Sequence, residues 1–130
     1  MINNKTNVSF NGTKIIFLEL SDFTNNTLSY KNKPVRGKWI VMVQGTFCGY
    51  CTQAKPDFIE ASKRGQDKVT FATIQIDGSE SESQLSKKLP DITKVEMRGV
   101  PAYLMFDNGK FSGLYTGGRK ENDLIEFLNL

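Results

Sequence analysis

The sequence has no histidine, and it has only two cysteines, one tryptophan and four prolines in 130 residues. Without histidine, no Ser-His or Cys-His catalytic pair can form within the chain, and metal binding loses its commonest ligand. With Cys48 and Cys51 as its whole complement, a tetrahedral zinc site would need carboxylates or a second chain. Long apolar runs are missing as well. The first, Ile15-Ile16-Phe17-Leu18, stops at Glu19. That is too short for a signal-peptide core, and a membrane span needs about 20 residues. The N-terminal stretch Met1 to Asn7 is polar, so a cytoplasmic location and no membrane partner are expected. Basic excess is slight: 17 Lys and Arg against 14 Asp and Glu give +3, with no basic run longer than two. Nucleic-acid binders carry a stronger, clustered excess, so no nucleic-acid partner is expected.

What is present is an ordinary globular composition, 38% hydrophobic and 24% charged, in a length that suits one domain. Residues 1–12 are Asn-rich and polar and are expected to be a lead-in; residues 13–130 are expected to form a single domain. Lys14 to Leu20 suggests a strand. Ser21-Asp22-Phe23 suggests a helix start, with Leu28 and Tyr30 on one face. A loop with Pro34 and Gly37 leads to Trp39-Ile40-Val41-Met42-Val43, a continuous apolar run that fits a strand buried on both faces. Cys51, Ala54, Phe58 and Ala61 then recur at helical spacing, with Lys55, Glu60, Lys63 and Arg64 placed off that stripe. Pro56 predicts a kink and Gly65 the helix end.

Val69 to Ile76 predicts a second buried strand, broken by Asp77-Gly78. Ser81 to Leu89 is polar and partly helical, anchored by Leu85 and Leu89 and stopped by Pro90. Ala102–Phe106 and Phe111–Tyr115 flank Asp107-Asn108-Gly109-Lys110, a strong hairpin turn. A last helix, Glu121 to Leu128, should turn Leu124, Phe127 and Leu128 inward. The order β, α, β, α, β, α, β, β, α predicts an α/β protein, a central mixed sheet flanked by helices.

The two cysteines fall where a buried strand ends and a helix begins, the place where open α/β sheets carry their reactive groups. Unpaired amides and the partial positive charge of a helix start favour a thiolate there. Cys48 comes first and is expected to be the more open sulfur and the nucleophile; Cys51, on the apolar stripe, is expected to be the buried resolving thiol. Cys48 would attack a substrate disulfide to form a mixed disulfide. Cys51, at i+3, would then displace the reduced product. A structural disulfide is the plainer alternative, but closing so small a loop would add only about 2 kcal/mol.

Trp39 to Val43 running into Phe47-Cys48-Gly49-Tyr50-Cys51, then Pro56, Ile74-Gln75-Ile76-Asp77, Arg98-Gly99-Val100-Pro101, Asp107-Asn108-Gly109-Lys110 and Gly117, occur in an order that resembles the thioredoxin family. The likeness runs from about Lys14 to Leu130. It implies a thioredoxin-like fold, no bound cofactor, protein disulfides as substrates, and a disulfide reductase or other electron donor as partner, with a monomer as the expected state. It implies that Pro101 is cis and faces the cysteines, and that Val100 offers its backbone to an extended substrate. Gly117 would leave that segment room, over an apolar patch including Phe47, Gly49, Tyr50 and Val100.

The departures matter too. Such proteins usually carry an acid where Met42 stands and an accompanying lysine where Thr73 stands, so the buried proton-handling pair is missing and slow resolution of mixed disulfides is expected. The Gly-Tyr pair between the cysteines resembles that of bacterial disulfide isomerases, and Gly117-Gly118 that of glutaredoxins. Disulfide isomerase, oxidase or glutaredoxin-like activity, or a weakly catalytic binding module, therefore stay open beside reduction.

Overall fold

The computed structural model describes residues 10–65 and 67–130; residues 1–9 of the expected lead-in lie outside them. Phe10, still within that polar stretch, is buried against the rings of Phe17 and Phe58. The five main strands are β1 (Ile16–Phe17), β5 (Lys38–Gln44), β6 (Val69–Gln75), β7 (Ala102–Asp107) and β8 (Lys110–Tyr115). They form one sheet in the order β1-β6-β5-β7-β8, with β1 and β5 parallel to β6 and both β5–β7 and β7–β8 antiparallel. The helices are α1 (Gly49–Arg64), α2 (Glu80–Thr93) and α3 (Glu121–Leu128).

The apolar run in β5 explains the layering. Successive strand residues point to opposite faces, so Trp39, Val41 and Val43 join a core with Leu85 and Leu89 of α2. Ile40 and Met42 join the other, with Phe58 of α1 and Leu124 of α3. The sheet is thus covered on both faces, as a mixed sheet fed by a parallel crossover requires.

Several expectations are corrected. The strand expected over Lys14–Leu20 shrinks to β1, followed by a 3-10 turn at Leu20–Asp22. The helix expected after Ser21 is instead a three-stranded antiparallel meander, β2 (Phe23–Thr24), β3 (Thr27–Tyr30) and β4 (Lys33–Pro34). Its two turns explain why: Asn25-Asn26 and Lys31-Asn32 all adopt positive φ, 52° to 63°. Paired left-handed residues make the turns that match strand twist, and asparagine tolerates them best among residues with a side chain. Pro90 does not stop α2, which runs on to Thr93. Burial of Leu85, Leu89 and Ile92 holds the helix across the missing donor, and Lys94, at φ 60°, ends it. Phe127 faces outward, 49% exposed, with its ring 4.3 Å from that of Tyr115.

The expected Asn108-Gly109 turn is present, with φ of 51° and 85°. Gly109 also docks the meander on the sheet, its carbonyl accepting from Leu28 N at 2.8 Å. A Cβ there would stand 2.7 Å from the Leu28 carbonyl oxygen. Gly109→Ala combines that clash with a strained φ and is expected to lower the unfolding free energy by about 2–3 kcal/mol, read by urea denaturation.

Candidate active site

The site is assembled by two short loops and a helix start. Strand β5 ends at Gln44, and Gly45-Thr46-Phe47 carries the chain to Cys48, whose extended backbone (φ −90°, ψ 112°) caps α1. Its sulfur takes the part usually played by a serine or aspartate oxygen: Cys51 N donates to Cys48 Sγ at 3.1 Å. The loop is pinned from outside. Thr46 N donates to both carboxylate oxygens of Asp77 at 3.1 Å, and the Thr46 hydroxyl also donates to that carboxylate. Burial opposes ionisation of Asp77, but the Thr46 bonds outweigh it and hold the carboxyl below its ordinary range.

The second loop brings Val100 and Pro101. Their peptide bond is cis, and the Cys48 thiol donates to the Val100 carbonyl at 3.5 Å. Both cysteines are free thiols. Cys51 is fully enclosed, whereas Cys48 is 8% exposed, the expected order although Cys48 is itself well covered. Burial first, and then the hydrogen bond with Cys48, push the Cys51 thiol up to about 12.

The remaining expected site residues surround this pair. Phe47 and Tyr50 stand out from the surface, each 69% exposed, with the Arg119 guanidinium 6.0 Å from the Tyr50 ring centroid. Gly49 is exposed, in the first helical turn, with open space where a Cβ would go. Val100, Pro101 and Gly117 line a groove of about 500 Å³, together with Arg98, Tyr103 and Arg119. Met42 and Thr73 are buried neighbours across β5 and β6, and the Thr73 hydroxyl donates to the Met42 carbonyl at 2.8 Å.

One side chain near the site lies deeper than expected: Lys55, expected off the apolar stripe of α1, is 4% exposed. The signal was available: it stands four residues after Cys51 and so shares its face. Two residues at this site, Thr46 and Arg119, were not singled out from sequence, because their roles depend on contacts with distant loops. Among the described residues, no group of three or more His, Cys, Asp or Glu side chains could hold a metal ion.

A mixed sheet with a Cys-x-x-Cys pair capping the helix after its central strand, and a cis-proline loop facing it, is a thioredoxin-like architecture. The thioredoxin family model matches residues 19–130, and the chain belongs to that family. It is 30% identical to the thioredoxin-like protein 453L of Invertebrate iridescent virus 6, over 88% of this chain and 91% of that protein. It is 29% identical to the thioredoxin of Rickettsia prowazekii (strain Madrid E), over 78% of this chain and 90% of that one. The crystal structure of the J-Trx1 fragment of ERdj5 superposes with a TM-score of 0.63 at 17% identity, over 88% of this chain and 49% of that one. That last likeness speaks for the fold alone.

Proposed function

We propose that the protein is a thiol–disulfide oxidoreductase that reduces or exchanges disulfides of protein substrates through Cys48 and Cys51. The observation that carries this reading is the seat of Cys48 Sγ, bonded by the Cys51 amide at a helix N-terminus and 3.5 Å from the Val100 carbonyl. These contacts fix that sulfur at the mouth of the helix, beside the loop along which an extended substrate would pair. Cys48 attacks one sulfur of the substrate disulfide, forming a Cys48–substrate bond and releasing the other sulfur as a thiolate. Cys51 then attacks Cys48, forming the intramolecular disulfide and freeing the second substrate sulfur.

An extended substrate segment would pair with the Val100 backbone and lie along the groove past Pro101 and Gly117. Phe47 and Tyr50 would flank it, with Gly49 leaving the approach to Cys48 open. No cofactor takes part. The partners are protein disulfides and a disulfide reductase or other electron donor, in the cytoplasm, with the protein acting as a monomer. The test is reduction of insulin by dithiothreitol. The protein is expected to accelerate it, and no acceleration would overturn the reading. Equilibration with glutathione then assigns direction: a potential near about −270 mV marks a reductase, and one above about −200 mV an oxidant or isomerase.

A further inference from the structure

Helix α1 buries a lysine next to its reactive end. Lys55 lies one turn beyond Cys51 on the same face and is 4% exposed. Its Nζ stands 5.7 Å from the centroid of the Phe10 ring. No hydrogen bond or ion pair holds that ammonium among the described residues; Cys51, Asp77 and Cys48 are the ionisable groups whose charges act on it. Enclosing a lysine this deeply with no bonded partner on the protein is unfavourable even where its tip keeps a little solvent contact, and an apolar side chain of that length would serve packing better. Beneath the cysteines, the other positions that could handle charge are inert: Met42 is apolar, and the Thr73 hydroxyl is already given to the Met42 carbonyl.

We propose that Lys55 is the positioning charge for the resolving step, an ammonium that stabilises Cys51 as a thiolate when it attacks Cys48. This rests on the reading of Cys48 and Cys51 as the reactive dithiol. In the step, Cys51 gives up its proton and its sulfur attacks Cys48 Sγ. The Cys48–Cys51 bond forms and the bond from Cys48 to the substrate sulfur breaks. The departing sulfur takes the electron pair and then the proton that Cys51 lost. Lys55 stays protonated throughout and exchanges nothing.

The groups facing Cys51 set the pH dependence. They are Cys48 and the Gly45 backbone from the preceding loop, Lys55 from α1, and the Tyr103 phenol from β7. Asp77, from the loop after β6, acts on Lys55. The Tyr103 hydroxyl has no hydrogen-bond partner among the described residues, and burial raises its titration well above the ordinary range, so it stays neutral. Burial lowers the Lys55 titration, the charges of Cys51, Asp77 and Cys48 oppose that, and its charge is lost as pH rises through a value below the ordinary lysine range. The advantage it gives Cys51 therefore fades as pH rises through that value.

Dithiobis(nitrobenzoate) separates the two steps, since attack by Cys48 releases one coloured thiolate and resolution by Cys51 a second. Lys55→Met is expected to slow the second phase about tenfold at pH 7 and to move its pH profile up by about one unit, the two being the same change. The first phase should change far less, and the urea midpoint of the reduced protein should equal or exceed that of the wild type. Lys55→Arg should keep most of the second-phase rate, whereas Lys55→Gln should lose it as the methionine variant does. An unchanged second phase in both uncharged variants overturns the proposal, as does equal slowing of both phases with a lowered urea midpoint. A wild type that shows no second phase at all overturns the dithiol reading itself.

Discussion

Cys48→Ser is expected to bring insulin reduction down to the rate of dithiothreitol alone, a loss of at least about 10³-fold, because it removes the attacking sulfur. Cys51 cannot take its place. It is fully enclosed, and burial is the largest cause of its raised titration. That cause survives when Cys48 is gone. Burial alone therefore still keeps the Cys51 thiol protonated and a poor nucleophile near neutral pH. Cys51→Ser should behave differently. Cys48 still attacks, but nothing displaces the product, so the protein should accumulate as a covalent adduct with its substrate. Insulin turbidity reads the first outcome, and intact mass under non-reducing conditions reads the second. Turnover surviving Cys48→Ser, or an adduct with Cys48→Ser and none with Cys51→Ser, would invert the assigned roles.

The parts of this fold that were legible in sequence are those where one local signal decides. Five consecutive apolar residues from Trp39 to Val43, bounded by a charged loop and Gly45, fit a strand covered on both faces, and its residues divide between the two cores. Asn108-Gly109 specifies its own turn by the φ values it tolerates. The spacing of Cys51, Ala54, Phe58 and Ala61 marks the inward face of α1, and all four are buried.

Where local signals compete, tertiary packing and turn geometry decide. Leu28 and Tyr30 suggested a helical face, but Asn25-Asn26 and Lys31-Asn32 turn the chain too tightly for a helix. Pro90 carries its local penalty, yet the burial of Leu85 and Leu89 before it and Ile92 after it outweighs one lost donor. Lys55 carries a charge, but its register, four residues after Cys51, places it inside. Phe127 is apolar yet half exposed at the sheet edge, its ring against that of Tyr115. The seat of Cys48 could be placed at the helix start from sequence, but its contact with Val100, 52 residues away, could not.

The docking of α1 on the sheet centres on the Phe58 ring. Phe58→Ala is expected to lower the unfolding free energy by about 3–5 kcal/mol, a large share of what a single domain of this size has to spare. Phe58 is fully enclosed, and its ring lies 5.0 Å from Phe71 of β6, 5.8 Å from Tyr103 of β7 and 5.9 Å from Phe10. These neighbours come from two sheet strands and the N-terminal segment, so no single shift can close the space a missing ring would leave, and the cavity adds to the lost transfer energy. Phe58→Leu keeps most of the volume and should cost much less. Because Phe58 and Cys51 lie two turns apart on one helix, activity should fall in step with the folded fraction as urea is added, not ahead of it. A loss below about 1 kcal/mol would mean that α1 is not docked through this residue, and activity lost before unfolding would mean that the ring holds the site rather than the fold.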